Sequence, residues 1–130
     1  MENERASAIT LGGQEYELLL TMRATKEIAK KFGGLENLGA QLFNTENFEM
    51  AVESIVWLIT VLANQSIQIY NLRNPHETKP LLTEDAVELL TCPQKLTDYK
   101  DAILDCLVKG TGRAVESQTE EAPDPNAPTA

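Results

Sequence analysis

The candidates for catalysis or metal binding in this chain are its one histidine and its carboxylates, because these side chains can act as bases or bind a metal ion. His76 is the only histidine among 130 residues, and it lies in a loop between Pro75 and Pro80. A lone loop histidine is typical of a solvated side chain, and a zinc site needs three or four ligands. We therefore expect neither a catalytic histidine nor a metal site.

Two acidic pairs could support general acid-base chemistry or calcium binding, Glu84 with Asp85 and Asp101 with Asp105. The first pair opens a predicted helix, and the second lies four residues apart on a solvated helical face. Both kinds of chemistry need oxygens that converge on one point, which this spacing does not supply. Phosphate-binding glycine loops and the serine nucleophile motif are also missing from the sequence. We predict a protein that is not an enzyme and has no cofactor.

The overall charge narrows the choice of partners. The formal net charge is −9, and residues 1–110 carry −6 of it, because the remainder holds four carboxylates and only Arg113. Nucleic acid is a poor candidate, since phosphate binding needs a broad basic surface. Cys92 and Cys106 have no Cys-x-x-Cys spacing, which is typical of reduced thiols in a cytosolic protein.

The elements that must position any site begin with a hairpin. Alternating apolar residues predict two short strands over residues 9–20, joined at Gly12-Gly13, which can adopt the positive φ of a tight turn. Thr21 then suits a helix N-cap, and Gly33 suits the left-handed stop after Phe32. The sequence therefore predicts a ribbon followed by a helix of about ten residues and, over residues 35–43, a short second helix.

A cationic strip stands on the first helix of this acidic protein. Arg23, Lys26 and Lys30 fall within roughly 60° of one another on a helical wheel. One interpretation is a solvated face on which Glu27 pairs with Lys31 at a spacing of four residues. The other is a docking strip for an acidic partner segment, because complementary charge guides encounter and register.

Residues 46–72 predict one long helix, roughly 40 Å at 1.5 Å per residue, with Asn44-Thr45 as the turn and cap before it. Its apolar residues form one broad core stripe: Phe48, Ala51, Val52, Ile55, Leu58, Ile59, Leu62, Ile69 and Tyr70. Met50, Trp57 and Val61 project from nearly the opposite side. A helix that is apolar on two sides must be covered on both. The second cover is either the last two helices of the same chain or an interface centred on Trp57, formed with a client or a second copy.

The same helix is uncharged over residues 54–72, but polar residues fill its second half. Its continuous apolar part is far shorter than the roughly 20 residues that cross a bilayer, so we expect no membrane span. Thr83 predicts the cap of a short helix, and Pro93 the start of a last one with the stripe Leu96, Tyr99, Ile103, Leu107 and Val108.

The predicted fold class is therefore mainly α with a small N-terminal β-hairpin (α+β), built around one long central helix. We expect residues 1–7 to form a flexible N-terminus and residues 8–110 a single helical domain. Residues 111–130 should form a disordered acidic tail, because they contain too little apolar surface to order themselves. The N-terminal residues show no signal peptide pattern, so secretion is not expected.

Residues 9–42 resemble the N-terminal part of the bacteriophage tail assembly chaperones, in which a strand, Leu-Thr, an amphipathic helix and Phe-Gly recur. Here Leu20-Thr21 and Phe32-Gly33 occupy those places. The helix departs from the family pattern at Lys30 and Lys31, where Leu and Glu are commoner in the family. The basic strip is therefore a feature of this chain rather than of the family.

The resemblance implies a non-enzymatic protein of a long-tailed phage or prophage, located in the bacterial host cytoplasm and not expected in the mature virion. It implies binding to the tape measure protein and recruitment of tail tube protein, with a homo-oligomer possible. Two other classes stay open: a structural tail completion or connector protein retained in the virion, and a small adaptor or regulatory protein of a mobile element. The predicted partner-binding residues are Arg23, Lys26, Lys30, Met50, Trp57 and Val61.

Overall fold

The fold is a two-stranded hairpin packed on a set of helices around one long central helix, as predicted. The computed structural model describes residues 6–35, 38, 42 and 47–112. The elements are β1 (Ala6–Leu11), β2 (Gln14–Leu19), α1 (Met22–Phe32), α2 (Phe48–Arg73), α3 (Glu84–Leu90), a 3-10 turn (Pro93–Lys95) and α4 (Leu96–Thr111). The expected flexible start and acidic tail lie outside the described residues, except for positions 6, 7, 111 and 112.

The hairpin pairs β1 and β2 antiparallel, from Ala6 opposite Leu19 to Leu11 opposite Gln14. Gly12 and Gly13 connect the strands with φ of 58° and 83°, the left-handed conformation that the sequence predicted for this turn. β1 begins two residues before the expected boundary of the domain. β2 is buried on both faces at its end, because Leu18 and Leu19 point to opposite sides and both are buried.

The ends of α1 are decided by single residues. Thr21 Oγ1 accepts a hydrogen bond from Ala24 N at 3.1 Å, which satisfies one of the free backbone donors of the first turn. At the other end Gly33 adopts φ 83°, and its N–H donates to Ala29 O. Thr21 also donates to Gln65 Oε1 at 2.5 Å, so the cap of α1 is tied to the side of α2.

The long helix starts later than predicted. Asn47 caps α2 by accepting a hydrogen bond from Met50 N at 3.1 Å, and the helix runs from Phe48 to Arg73. The predicted cap at positions 44–45 and most of the predicted short helix lie outside the described residues, although Leu38 and Leu42 are buried and helical.

Most of the predicted stripe of α2 forms the core, with the residues Ala51, Ile55, Leu58, Ile59 and Leu62 buried. Phe48 is a correction, because it is 59% exposed. It lies in the first turn of the helix and borders an open groove, so one side of its ring faces solvent. Val52, Ile69 and Tyr70 are half-buried.

The hairpin forms one side of the core, with β2 against α2 and β1 against α4. The end of α4 comes very close to the chain that links β2 to α1. A Cβ atom added at Gly110 would lie 2.6 Å from Leu20 Cβ, closer than real carbon atoms pack. Glycine at this position therefore permits the contact between α4 and the hairpin.

The polar second half of α2 fastens a neighbouring extended segment. Asn64 donates from Nδ2 to Leu82 O at 2.9 Å and accepts from Leu82 N at 2.8 Å. Asn71 makes the same pair of bonds with Lys79, at 2.9 Å and 2.8 Å. We call these two contacts the asparagine clamps. They explain why this part of a core helix is rich in amides, since each amide satisfies one backbone N–H and one C=O.

The last two helices follow the predicted order. Thr83 caps α3 by accepting from Ala86 N at 3.1 Å, and Pro93 opens a 3-10 turn that leads into α4. In α4 the stripe of Tyr99, Ile103 and Leu107 is buried, but Val108 is 38% exposed, which corrects its predicted place in the core. Gly112 ends the helix in the left-handed conformation.

α2 is also the one helix in the described part of the chain with the length and composition to cross a membrane. Core helices of soluble proteins meet the same criteria. Here 56% of its most apolar window is buried, and the helix contacts the hairpin, α1, α3 and α4. The burial fits the predicted central core helix.

Candidate protein-binding surface

The single histidine and the first acidic pair lie in different elements. His76 is exposed in the loop between α2 and α3. Within the described residues, no group of three or more His, Cys, Asp or Glu side chains could hold a metal ion. Glu84 and Asp85 occupy the first turn of α3, where carboxylates favour the positive helix end. That the protein is not an enzyme stays a prediction.

The two cysteines are free and differ in environment. Cys92 is exposed, and its backbone N–H donates to Tyr99 Oη at 3.0 Å. Cys106 is buried in the core, and burial raises the pKa of its thiol to about 12. A thiol that holds its proton this firmly is a poor nucleophile, so Cys106 is a packing residue.

Asp105 fastens β1 to α4. Its carboxylate accepts a hydrogen bond from Ser7 Oγ at 2.5 Å and lies 3.1 Å from Lys109 Nζ, which also donates to Ala6 O at 3.1 Å. The Ser7 hydrogen bond, helped by Lys109, lowers the pKa of Asp105. Asp105 thus bonds the side chain of Ser7, and Lys109 bonds the backbone of Ala6, both on β1. This cluster therefore has a structural role.

A groove of about 630 Å³ lies between the end of α1, the start of α2 and α3, and we call it the Trp57 groove. Trp57 and Phe32 meet there edge to face, with ring centroids 5.7 Å apart. Lys31 Nζ lies 5.1 Å from the Trp57 ring centroid, a cation-π distance. Lys31 is thus directed to the aromatic pair, and not to Glu27 as the spacing in the sequence suggested.

Of the six predicted partner-binding residues, only Met50 and Trp57 line this groove. Met50 is 57% exposed, whereas Trp57 is half-buried against the core. Val61 is also half-buried against the core but does not line the groove. The rest of the chain therefore covers Trp57 and Val61 in part and leaves Met50 exposed.

The basic strip of Arg23, Lys26 and Lys30 is exposed on α1 and lies outside the lining of the groove. Arg23 Nη1 lies 3.5 Å from Gln68 Oε1, so this end of α1 faces the second half of α2. Since Phe32 meets Trp57, α1 runs along α2 in the opposite direction. The six residues therefore do not form one continuous site.

Sequence reasoning missed two parts of this surface. Phe48, expected in the core, borders a second apolar groove of about 200 Å³ with Val52 and Leu96, next to the Trp57 groove. The second part is an acidic rim from α2 and α3: Glu53, Glu84, Asp85 and Glu88. The sequence holds no signal for this rim, because its members are up to 35 positions apart and meet only in the folded chain.

No protein-family model, curated protein or solved structure matches this chain. Its function must therefore be inferred from the surface described above and from the resemblance of residues 9–42.

Proposed function

We propose that this protein is a non-enzymatic tail assembly chaperone of a long-tailed phage or prophage, which binds the tape measure protein and helps to recruit tail tube subunits. The resemblance of residues 9–42 suggests the family. The observation that carries the proposal is the apolar surface at the start of α2. Phe48 and Met50 are more than half exposed there. Phe48 borders the second groove, and Met50 lines the Trp57 groove together with the half-buried Trp57. Large exposed apolar side chains at the edges of neighbouring grooves are typical of a protein-binding site.

The physical task of such a chaperone matches this kind of surface. A tape measure protein presents long apolar helices before the tail tube encloses them, and exposed apolar surface of this kind aggregates. A soluble partner that covers it needs an apolar contact face and a strongly charged exterior. The net charge of −9 supplies repulsion between covered clients. We place the protein in the bacterial host cytoplasm and outside the mature virion.

The test is co-expression of the chain with the tape measure protein of the same genome, followed by co-purification and light scattering. Phe48→Ala with Met50→Ala should reduce the captured tape measure protein at least tenfold, because truncating interface aromatic residues commonly costs about 2 kcal/mol or more. Met22→Ala with Leu72→Ala is the matched control, since these residues are 87% and 80% exposed and lie outside both grooves. If both variants capture equal amounts of the tape measure protein, this surface is not the binding site.

Purified phage particles separate this proposal from the structural alternative. A chaperone should be present in lysates during assembly and absent from purified phage particles. Detection of the chain by mass spectrometry in particles, at a fixed ratio to tail tube protein, would instead identify a tail completion or connector protein. Failure to bind either tail protein would favour an adaptor outside morphogenesis.

A further inference from the structure

The Trp57 groove combines an apolar floor with a rim of one charge sign. Its floor is formed by Phe32, Val56 and Trp57, with Met50 at one side. Its rim contributes four carboxylates, from Glu53 on α2 and from Glu84, Asp85 and Glu88 on α3, against the single ammonium of Lys31. A cleft lined mainly by one charge sign raises the local concentration of ligands of the opposite sign.

These carboxylates are available to a ligand. Within the described part of the chain, no salt bridge joins any of the four to a lysine or an arginine, and Glu53, Glu84, Asp85 and Glu88 are all exposed. Among the described residues that line the groove, Lys31 is the only cation, so the described part of the rim carries a net negative charge. A cationic side chain that enters the groove would therefore meet unpaired carboxylates.

The floor of the groove already holds a cation of the chain itself. Lys31 Nζ lies 5.1 Å from the Trp57 ring centroid and 5.9 Å from that of Phe32. The ring faces attract positive charge, most strongly for tryptophan. The chain thus already places one ammonium on this aromatic pair, so an incoming cation would be held by the carboxylates of the rim rather than by the rings. The exposed side chain of Met50 offers an apolar contact to the neighbour of that cation.

We propose that the Trp57 groove binds a protein segment that presents a lysine or arginine next to an apolar side chain. The inference rests on the proposed function and specifies the client: the bound stretch of the tape measure protein is basic and apolar. This occupant differs from the acidic segment that the basic strip on α1 suggested. The chain's own C-terminal residues are a poor occupant, because residues 113–130 carry four carboxylates and one arginine.

The structure provides its own reporter for the test, because Trp57 is the only tryptophan in the chain. We would titrate the full chain with two helical peptides of 14 residues, one with Leu and Lys on one face and the other with Glu in place of every Lys. The lysine peptide should change the tryptophan emission and saturate, and the glutamate peptide should leave it unchanged. Raising the salt from 0.05 M to 0.5 M should weaken the binding, because exposed charges are screened within a few ångströms at high salt.

A charge-neutralising pair tests the rim itself. Glu53→Gln with Glu88→Gln removes two rim charges outside the first turns of α2 and α3, so neither helix loses a carboxylate that favours its N-terminus. We expect an affinity for the lysine peptide about three- to tenfold lower, a range set by the modest worth of exposed ion pairs. Glu15→Gln with Glu17→Gln on β2 is the matched control and should leave the affinity unchanged.

Equal binding of both peptides, or equal affinities for the two double variants, would overturn the inference. A mass that rises with concentration and falls for Glu53→Gln with Glu88→Gln would also overturn it, because the occupant would then be a second copy. Co-purification of the tape measure protein with this same variant separates the two proposals. If this variant captures as much tape measure protein as the unchanged chain and the peptide test fails, the inferred charge preference of the groove is wrong. The proposed function is then unaffected.

Discussion

Replacing Gly110 with alanine should have two opposite effects on the stability of the fold: a gain in helix propensity and a steric clash with Leu20. Gly110 lies in the last turn of α4, and inside a helix alanine is more favourable than glycine by roughly 1 kcal/mol. The new Cβ atom would lie 2.6 Å from Leu20 Cβ and 2.8 Å from Leu20 Cδ2. Non-bonded carbon atoms do not pack at such distances, so the helix or the hairpin must move.

Leu20 has little freedom to yield. It is 5% exposed and lies between the end of β2 and Thr21, the cap of α1. Rotation of its side chain would relieve the contact with Cδ2, but the position of its Cβ is fixed by the backbone. Forcing an extra methyl group into a packed core typically costs about 1–3 kcal/mol. After the helical gain, we expect a net loss of up to about 2 kcal/mol, which lowers the melting temperature by up to roughly 16 °C.

Urea and thermal unfolding followed by far-UV circular dichroism measure this loss. Gly112→Ala serves as the reference for backbone strain without a steric clash, because among the described residues no atom lies within 4 Å of its added Cβ and its φ of 78° disfavours alanine. Adding Leu20→Ala to Gly110→Ala should give less destabilisation than the sum of the single changes, since one of the close contacts is then gone. If Gly110→Ala raised the stability, helix propensity would outweigh the contact and the reasoning would be wrong.

Titration, thiol labelling and one further substitution test other contacts. Because Ser7 lowers the pKa of Asp105, its carboxylate stabilises the folded state above about pH 4, and this contribution is lost as the pH falls through the lowered pKa. The fall in urea midpoint between about pH 4 and pH 2 should therefore be smaller for Asp105→Asn; an identical fall would contradict the assignment. A thiol reagent should modify Cys92 alone in the native protein and reach Cys106 only on unfolding, as counted by intact mass. Asn64→Asp keeps the acceptor of one asparagine clamp and loses its donor, so the free energy of unfolding at pH 7 should fall by about 1–2 kcal/mol. An unchanged free energy of unfolding would mean that the clamp does not stabilise the fold.

The turns and helix ends were predictable because each is decided by one or two residues. Gly12-Gly13 supplies the positive φ of the hairpin turn, and Thr21 and Thr83 each offer a hydroxyl to a free backbone donor. These effects need no partner that is distant in sequence. Asn47 was missed as the cap of α2, because Asn44 and Thr45 offered equally suitable side chains nearby.

Which sides of the helices are buried was predictable only in part. Helical spacing fixes the angle between two side chains, but it does not say which angles the rest of the chain covers. Phe48 and Ile55 lie on one stripe, yet Ile55 is buried and Phe48 borders an open groove. In the same way, spacing paired Lys31 with Glu27, whereas the aromatic pair formed by α1 and α2 attracts its ammonium. Contacts between elements decided each of these outcomes.

The asparagine clamps set where the chain can change its length. Asn64 and Asn71 are seven residues apart on α2, about 10.5 Å at 1.5 Å per residue, and three extended residues from Lys79 to Leu82 span about 10 Å. The two spacings match, so one residue inserted between positions 79 and 82 would leave a clamp without its backbone partner. An insertion at positions 76–78, which are exposed, would only lengthen a turn at small entropic cost. An epitope or fluorescent label would therefore be tolerated at His76 and would disrupt the fold a few residues later.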